Sequence, residues 1–452
     1  MLRKTKRVDM LNGPIVSGIV AFALPMVFSS ILQIFFNVAD TVVVGKFAGS
    51  SALAAVGGTG SIIFLITALF GGLGTGCNVV VARMIGEGSY EKIGKAVHTA
   101  IFTALVGGLI FTFVGYYSSS FLLNLVSTPS SYFDLALQYM HIYFLGLIFI
   151  ALYNFGSAIL RANGDSKRPL YYLAVSGIVN VVLNLYMVIV LDLAVAGVAW
   201  ATVISQAISA GLVILSLRHQ EDATRLYLKR LSFDLESFLE IIKIGVPAGL
   251  QGMIFSLSNV AILSALNSFD SMQIVAANSA AANLESFVYI GITGFSSAAI
   301  TFTSQNMGAG NYKRVAPILL SSFILSFIVS FALGIFMYIY SDSLLSFYSN
   351  DLEVISLGKI RMYYVARLLF LNGLMDIVIS SLRGMGYSTR PTILMLIGIC
   401  GLRLYWVWFV FPLNKTLANL YLCYPLSWIV SLVVEILFWF YVYFRFLKPR
   451  MA

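Results

Sequence analysis

Twelve long, mainly apolar runs set the limits on what this chain can become. They lie near residues 15–43, 52–82, 94–116, 133–160, 169–190, 195–217, 240–266, 275–305, 315–340, 356–383, 391–412 and 418–444. A helix that crosses lipid needs about 20 such residues, and every run is long enough. A membrane β-barrel would instead alternate in polarity over short segments. The expectation is an all-α membrane protein with twelve transmembrane helices. Composition agrees: 59% of residues are hydrophobic and only 10% charged, against about 25% charged in soluble domains. Several runs exceed a minimal span, so tilt or kinking is expected. Pro25 and Pro247 lie inside the first and seventh runs and should loosen the helix there.

Lysine and arginine set the orientation. If the loops are counted alternately from the N-terminus, one set holds 22 of the 28 basic residues and the other only Lys46 and Lys415. Four more, Lys359, Arg361, Arg367 and Arg403, lie in spans or at their edges. Both termini are therefore expected in the cytoplasm of a multi-pass inner-membrane protein. The net charge of +9 reflects this topology and gives no reason to expect nucleic-acid binding. Cys77, Cys400 and Cys423 all sit in apolar runs, with neither metal-site spacing nor an evident disulfide pair. The basic start of the chain lacks the apolar core of a cleavable leader, and none is expected.

The halves repeat. At a constant offset of 222 residues, Arg161–Pro169 aligns without gaps on Arg383–Pro391, with five of nine positions identical. At the same offset Pro25 meets Pro247, Asn37 meets Asn259, and Gly86, Gly88 and Tyr90 meet Gly308, Gly310 and Tyr312. Each half then has six spans: an N-lobe over 1–217 and a C-lobe over 240–452. The charged stretch 218–239 is expected to be a cytoplasmic linker helix between them. Six spans per half make the repeats parallel, a common plan of secondary transporters, although duplication alone would also fit a channel or membrane enzyme.

Ionisable groups at membrane depth cost at least ~2.5–3.5 kcal/mol on insertion scales, so they mark function or a buried ion pair. Asp40 is the clearest case. No lysine or arginine lies deep in spans one to six, so this acid must stay protonated, bind a cation or alternate between the two. The other reading is a permanently neutral, hydrogen-bonded acid. Gln33, Asn37, Asp40 and Thr41 share one helical face. Ser176, Asn180 and Asn184 repeat every fourth residue in span five, and Thr202, Ser205, Gln206 and Ser209 line span six. Such faces belong in a bundle interior. Oxygen donors of this kind suit a hard cation, and they also suit plain interhelical hydrogen bonding.

The second half spends its charges differently, embedding Glu285, Asp376 and Glu435 with Arg367 and Arg403. A C-lobe charge network is expected, with Asp376 or Glu285 paired to Arg403, either as structural glue or as partners exchanged during transport. For a substrate cavity the candidates are Gln33, the span-four residues Tyr139, Tyr143 and Asn154, and the adaptable Met253. Aromatic faces attract organic cations by ~0.5–2 kcal/mol each.

Several of these stretches together resemble the multidrug and toxic compound extrusion (MATE) family. They are Leu24-Pro25 through Asp40 to Gly45, Leu53-Ala-Ala-Val-Gly57, the Leu160–Pro169 junction with its second-half copy, and Gly197-Val-Ala-Trp-Ala-Thr202. The resemblance covers essentially the whole chain. It implies a V-shaped pair of six-helix bundles that exports organic cations in exchange for sodium ions or protons, without a further cofactor. It also implies an N-lobe cation site at Asp40, Asn180, Asn184 and Thr202, with Na+ as one candidate occupant. Some members carry a second acid where this chain has Asn184, and one branch has a glutamate in span seven where residues 247–256 hold none. Asp376 resembles an acid found in span ten of one branch of the family.

The expected function is thus cation-coupled efflux by a monomer through alternating access, with small organic cations and the bilayer as partners. The alternative in the same superfamily is a flippase for lipid-linked saccharides, which would favour a cavity rich in Lys and Arg. The N-lobe interior has one acid and no base. No HExxH, no GxSxG and no catalytic pair of acids within one span points to an enzyme. Gly71-Gly72-Leu-Gly74-Thr-Gly76 lacks a P-loop lysine and suits close helix packing. The repeat does not extend to the charges: Asp40 maps onto Ile262, Asn180 onto Leu402 and Asn184 onto Trp406, while Asp376 maps onto Asn154 and Arg403 onto Val181.

Overall fold

The computed structural model describes residues 7–451, residue 257 by its backbone alone. No strand occurs among the described residues. Among the described residues eleven helices are long and apolar enough to cross a membrane, twelve if the bent pair Phe133–Leu145 and Leu147–Ala162 counts as one span. In order, spans 1 to 6 are Ile15–Ala48, Ser50–Glu87, Tyr90–Leu125, the pair Phe133–Leu145 and Leu147–Ala162, Lys167–Val190 and Ala194–Arg218. Spans 7 to 12 are Leu235–Asn267, Met272–Gly308, Tyr312–Ile339, Leu352–Gly384, Thr389–Leu413 and Leu417–Arg450. Large apolar side chains such as Phe113, Phe121, Trp408 and Phe409 stand exposed on these helices. Water would not tolerate so many, and lipid does.

The chain packs as two compact units. The first holds Phe28–Gly249 and the segment ending at Val8; the second holds Asp9–Val27 and Leu250–Ala452. Spans 1 and 7 are therefore shared between units, and each changes unit just after its proline, Pro25 or Pro247. Packing divides the chain inside these helices, whereas the sequence repeat divides it at the linker. The loosening expected at the prolines breaks neither helix: Ile15–Val43 and Leu235–Asn267 run on through them. A proline removes one N–H, and in a membrane bundle neighbouring groups can re-satisfy the freed carbonyl.

Within the first unit the glycine-rich face of span 2 meets the start of span 7. A Cβ on Gly72 would overlap the backbone of Gly249, and one on Gly76 that of Ile241. The glycines are there to let two backbones touch, which is how close packing arises where lipid gives no hydrophobic drive. Span 4 bends by 44° between its two helices. At the break, Gly146 lies against Val203 of span 6 and donates its N–H to the Tyr143 carbonyl at 2.9 Å. In the second unit, Phe22 and Phe302 meet edge to face at 6.2 Å, and Met362, Met375, Tyr421 and Trp428 form part of the core.

The segment between spans 6 and 7 is not the helix expected from its sequence. It is irregular apart from one short turn, Leu228–Arg230, and it is fastened to the first unit. The Tyr227 N–H donates to His98 Nε2 at 3.1 Å, and the Asp234 N–H to Thr99 Oγ1 at 2.9 Å. Asp222 accepts from Arg7, from Asn163 and from the Thr224 N–H. Asp and Thr bond their own neighbouring backbone and favour turns over helix; here those bonds and the partners on spans 3 and 4 win.

Candidate ion site and charge networks

Span 1 crosses span 5 where a ring meets a glycine. A Cβ on Gly177 would overlap the Phe36 ring, so only glycine permits this approach. One helical turn beyond Phe36 stands Asp40, and one and two turns beyond Gly177 stand Asn180 and Asn184. The Asn184 side-chain amide donates to the Asp40 carboxylate and, at 3.3 Å, to Asn180 Oδ1. Asn180 and Asn184 are buried. The Asn184 Oδ1 is buried too and has no partner among the described residues. Asp40 has no Lys or Arg partner among them either; its side-chain partner is an amide. A carboxylate, two amide oxygens and no countercharge form a donor set fit for a small hard cation or a proton.

The other expected members are placed differently. Thr202 is half-buried and its hydroxyl donates to the Val198 carbonyl of its own helix at 3.0 Å. Asn37 is exposed on span 1, and its carbonyl accepts from Thr41 at 2.8 Å. Gln33 is exposed on the same helix. Tyr139 and Tyr143 have ring centroids 5.9 Å apart, and both lie close enough to Asp40 to feel its charge. Asn154 donates to Ile150 of its own helix at 2.9 Å, and Met253 is half-buried in the second unit.

The charges of the second unit do not pair as expected. Glu285 is held by Arg361, with Nε and Nη2 donating to its two oxygens at 2.8 and 2.7 Å. Arg403 makes no ion pair among the described residues. It reaches Ser427 at 3.3 Å and Asn259 at 3.4 Å and lies 4.3 Å from the Tyr424 ring centroid. Asp376 accepts from the Tyr289 hydroxyl at 3.2 Å. Arg367 stacks on Tyr363 at 3.9 Å. Glu435 is fully buried, with neither oxygen bonded to a described residue.

Two arginines outside the expected network join these groups. One is Arg361. The other is Arg383, counted in the sequence among cytoplasmic loop residues but buried here, where it donates to Gln251 and Thr392 and acts electrostatically on Asp376 and Glu435. Arg383 is the repeat counterpart of Arg161, a signal that it belongs to a buried junction. Nothing in the linear pattern separates Arg361 from Arg403 as the partner of Glu285, because that choice depends on how spans 8, 10 and 11 face one another.

The MatE family model matches residues 25–186 and 247–409, two stretches that begin 222 residues apart. The chain belongs to the MatE family. It is a membrane transporter and not an enzyme. As a MatE chain it is 32% identical over 314 residues, 69% of either sequence, to YpnP of Bacillus subtilis, a probable multidrug resistance protein. It is 26% identical over 408 residues, covering 88% of this chain and 87% of the relative, to an FAD transporter of Shewanella oneidensis. An outward-facing multidrug resistance MATE family transporter of the MOP superfamily has a TM-score of 0.88 to it, covering 97% of this chain and 98% of that one at 21% identity. At that identity the likeness establishes the fold. Asp40, Asn180 and Asn184 lie within the first matched stretch, whereas Thr202 and Glu435 lie outside both.

Proposed function

We propose that this MatE chain is a secondary active efflux transporter that exports small organic cations by antiport with sodium ions or protons through alternating access. It works as a monomer in the cell inner membrane, with both termini in the cytoplasm. The observation that carries the reading is Asp40, a carboxylate at membrane depth held by the Asn184 amide and by no cation among the described residues. A group so placed gains an ion or a proton on one side of the membrane and releases it on the other. Asn180 and Asn184 offer the neutral oxygens that complete its surroundings, and Thr202 joins when span 6 moves. Tyr139 and Tyr143 present aromatic faces to a cationic cargo near the same acid. The drug-resistance name of YpnP supports efflux over the flipping of lipid-linked saccharides.

The test is transport of ethidium by proteoliposomes, with sodium and proton gradients imposed separately. Ethidium movement driven by one of the two gradients is expected and identifies the coupling ion. Movement of FAD but not ethidium, or movement of ethidium under neither gradient, would overturn the proposal.

A further inference from the structure

The two halves carry equivalent turns between their second and third spans, Gly88-Ser89-Tyr90-Glu91-Lys92 and Gly310-Asn311-Tyr312-Lys313-Arg314. In the first half the charges balance. Lys92 pairs with Glu87 at 3.1 Å and Lys95 with Glu91 at 2.7 Å. The cavity beside that turn is lined by Glu91, Glu221 and Asp222 as well as by Lys95, Arg225 and Arg230. In the second half the repeat puts Lys313 where Glu91 stood and Ala309 where Glu87 stood. The cavity there, about 190 Å³, is lined by Tyr312, Lys313, Arg314, Arg450 and Met451, with no carboxylate among the described residues.

Arg450 reaches this cavity from the far end of the chain, its guanidinium 5.8 Å from the Tyr312 ring centroid. Arg314 donates one Nη to the Gly13 carbonyl at 2.7 Å, while its buried Nε finds no acceptor among the described residues. Lys313 and Arg314 also stand just before the helix Val315–Ile339, where the helix dipole already concentrates positive charge. A preference for cations at cytoplasmic loops explains why basic residues are here. It does not explain the loss of both acids, or the convergence of three cations on one cavity against a helix N-terminus. An anion between them does.

The location selects the anion. Span 9 begins at Tyr312 and span 12 ends at Arg450, so the cavity lies at headgroup depth. Exposed Phe444 and Phe446 stand on the same end of span 12, with Lys448 5.3 Å from the Phe444 ring centroid, in the manner of an interfacial belt. The cavity equals about six water volumes, at roughly 30 Å³ each, enough for a phosphate group. We propose that Lys313, Arg314 and Arg450 form a binding site for the phosphate of an anionic phospholipid headgroup. This site is independent of Asp40 and of the cargo.

The test is native mass spectrometry of the purified full chain titrated with dioleoylphosphatidylglycerol or dioleoylphosphatidylcholine. The wild type should bind the anionic lipid preferentially. Lys313→Gln with Arg450→Gln should weaken that binding by about thirty-fold, while the charge-conserving pair Lys313→Arg with Arg450→Lys should retain it. Lys92→Gln with Lys95→Gln removes the same charge from the first half and should leave binding unchanged. Equal affinity for both lipids, or an equal loss in the first-half variant, would overturn the site. Displacement of the lipid by inorganic phosphate at equal concentration would show a soluble-anion site and overturn the lipid assignment.

Discussion

The Asn184 side-chain amide donates to the Asp40 carboxylate and to Asn180 Oδ1 together, so one neutral group orients the intramembrane acid of the first unit. Nothing cationic competes for that acid among the described residues. Asp40→Asn keeps the size of the side chain and removes its charge. The variant should fold and reach the membrane, and its ion-coupled export should fall to background. Ethidium efflux from cells, normalised to protein level, measures this; wild-type efflux from the variant would refute the coupling role.

The Phe36–Gly177 crossing sets the distance between Asp40 and Asn184. Gly177→Val places methyl groups where the Phe36 ring stands, and overpacking of this kind costs about 1–3 kcal/mol. The melting temperature in detergent should drop and export should weaken. Phe36→Ala in the same chain should recover part of both. If Gly177→Val left melting and export untouched, the crossing would not position the site.

Glu285 and Arg361 form a buried, two-pronged pair. Removing one partner strands the other charge, at a cost of about 3–5 kcal/mol, whereas replacing both with apolar groups of similar volume is often near neutral. Glu285→Leu or Arg361→Met alone should therefore destabilise strongly, and the two together much less. Thermal unfolding of the three variants closes the cycle. Additive losses would mean that the pair is not coupled.

Acid sensitivity should arise at the linker. Burial pushes the Asp222 carboxyl up, but hydrogen bonds from Thr224, Asn163 and Arg7 outweigh it and hold the group below its usual range. The Ser237 backbone N–H and side chain do the same for Asp234. A carboxyl held low in the folded chain stabilises fully above its unfolded value, about 3.9, and loses that contribution as pH falls through the folded value. The melting temperature should drop between mildly and strongly acidic pH. Asp222→Asn should start lower at neutral pH and fall less; a parallel acid profile would contradict the assignment.

Much of this architecture was legible in the residues. Apolar length gave the crossings, and the 222-residue offset gave a duplication that the two family matches repeat. Asp40 with Asn180 and Asn184 also stood out, because spacing by four puts both amides on one face and a lone acid at depth demands company. The linker's charges predict a helix, but Asp222 and Asp234 spend their oxygens on nearby N–H groups instead. The partner of Glu285 differs from the expected Arg403 for another reason. Arg361, Arg367 and Arg403 are equivalent in one dimension, and the choice among them depends on helix rotation.

The sequence by itself therefore determined the solvent, the number and the type of the elements. Those follow from transfer free energies and backbone hydrogen bonding, which act locally along the chain. Only the tertiary structure decided which polar groups meet: Asn184 with Asp40, Arg361 with Glu285, and Arg450 beside Tyr312. These choices rest on where glycines such as Gly177 let helices approach, and on angular relations between segments far apart in the chain.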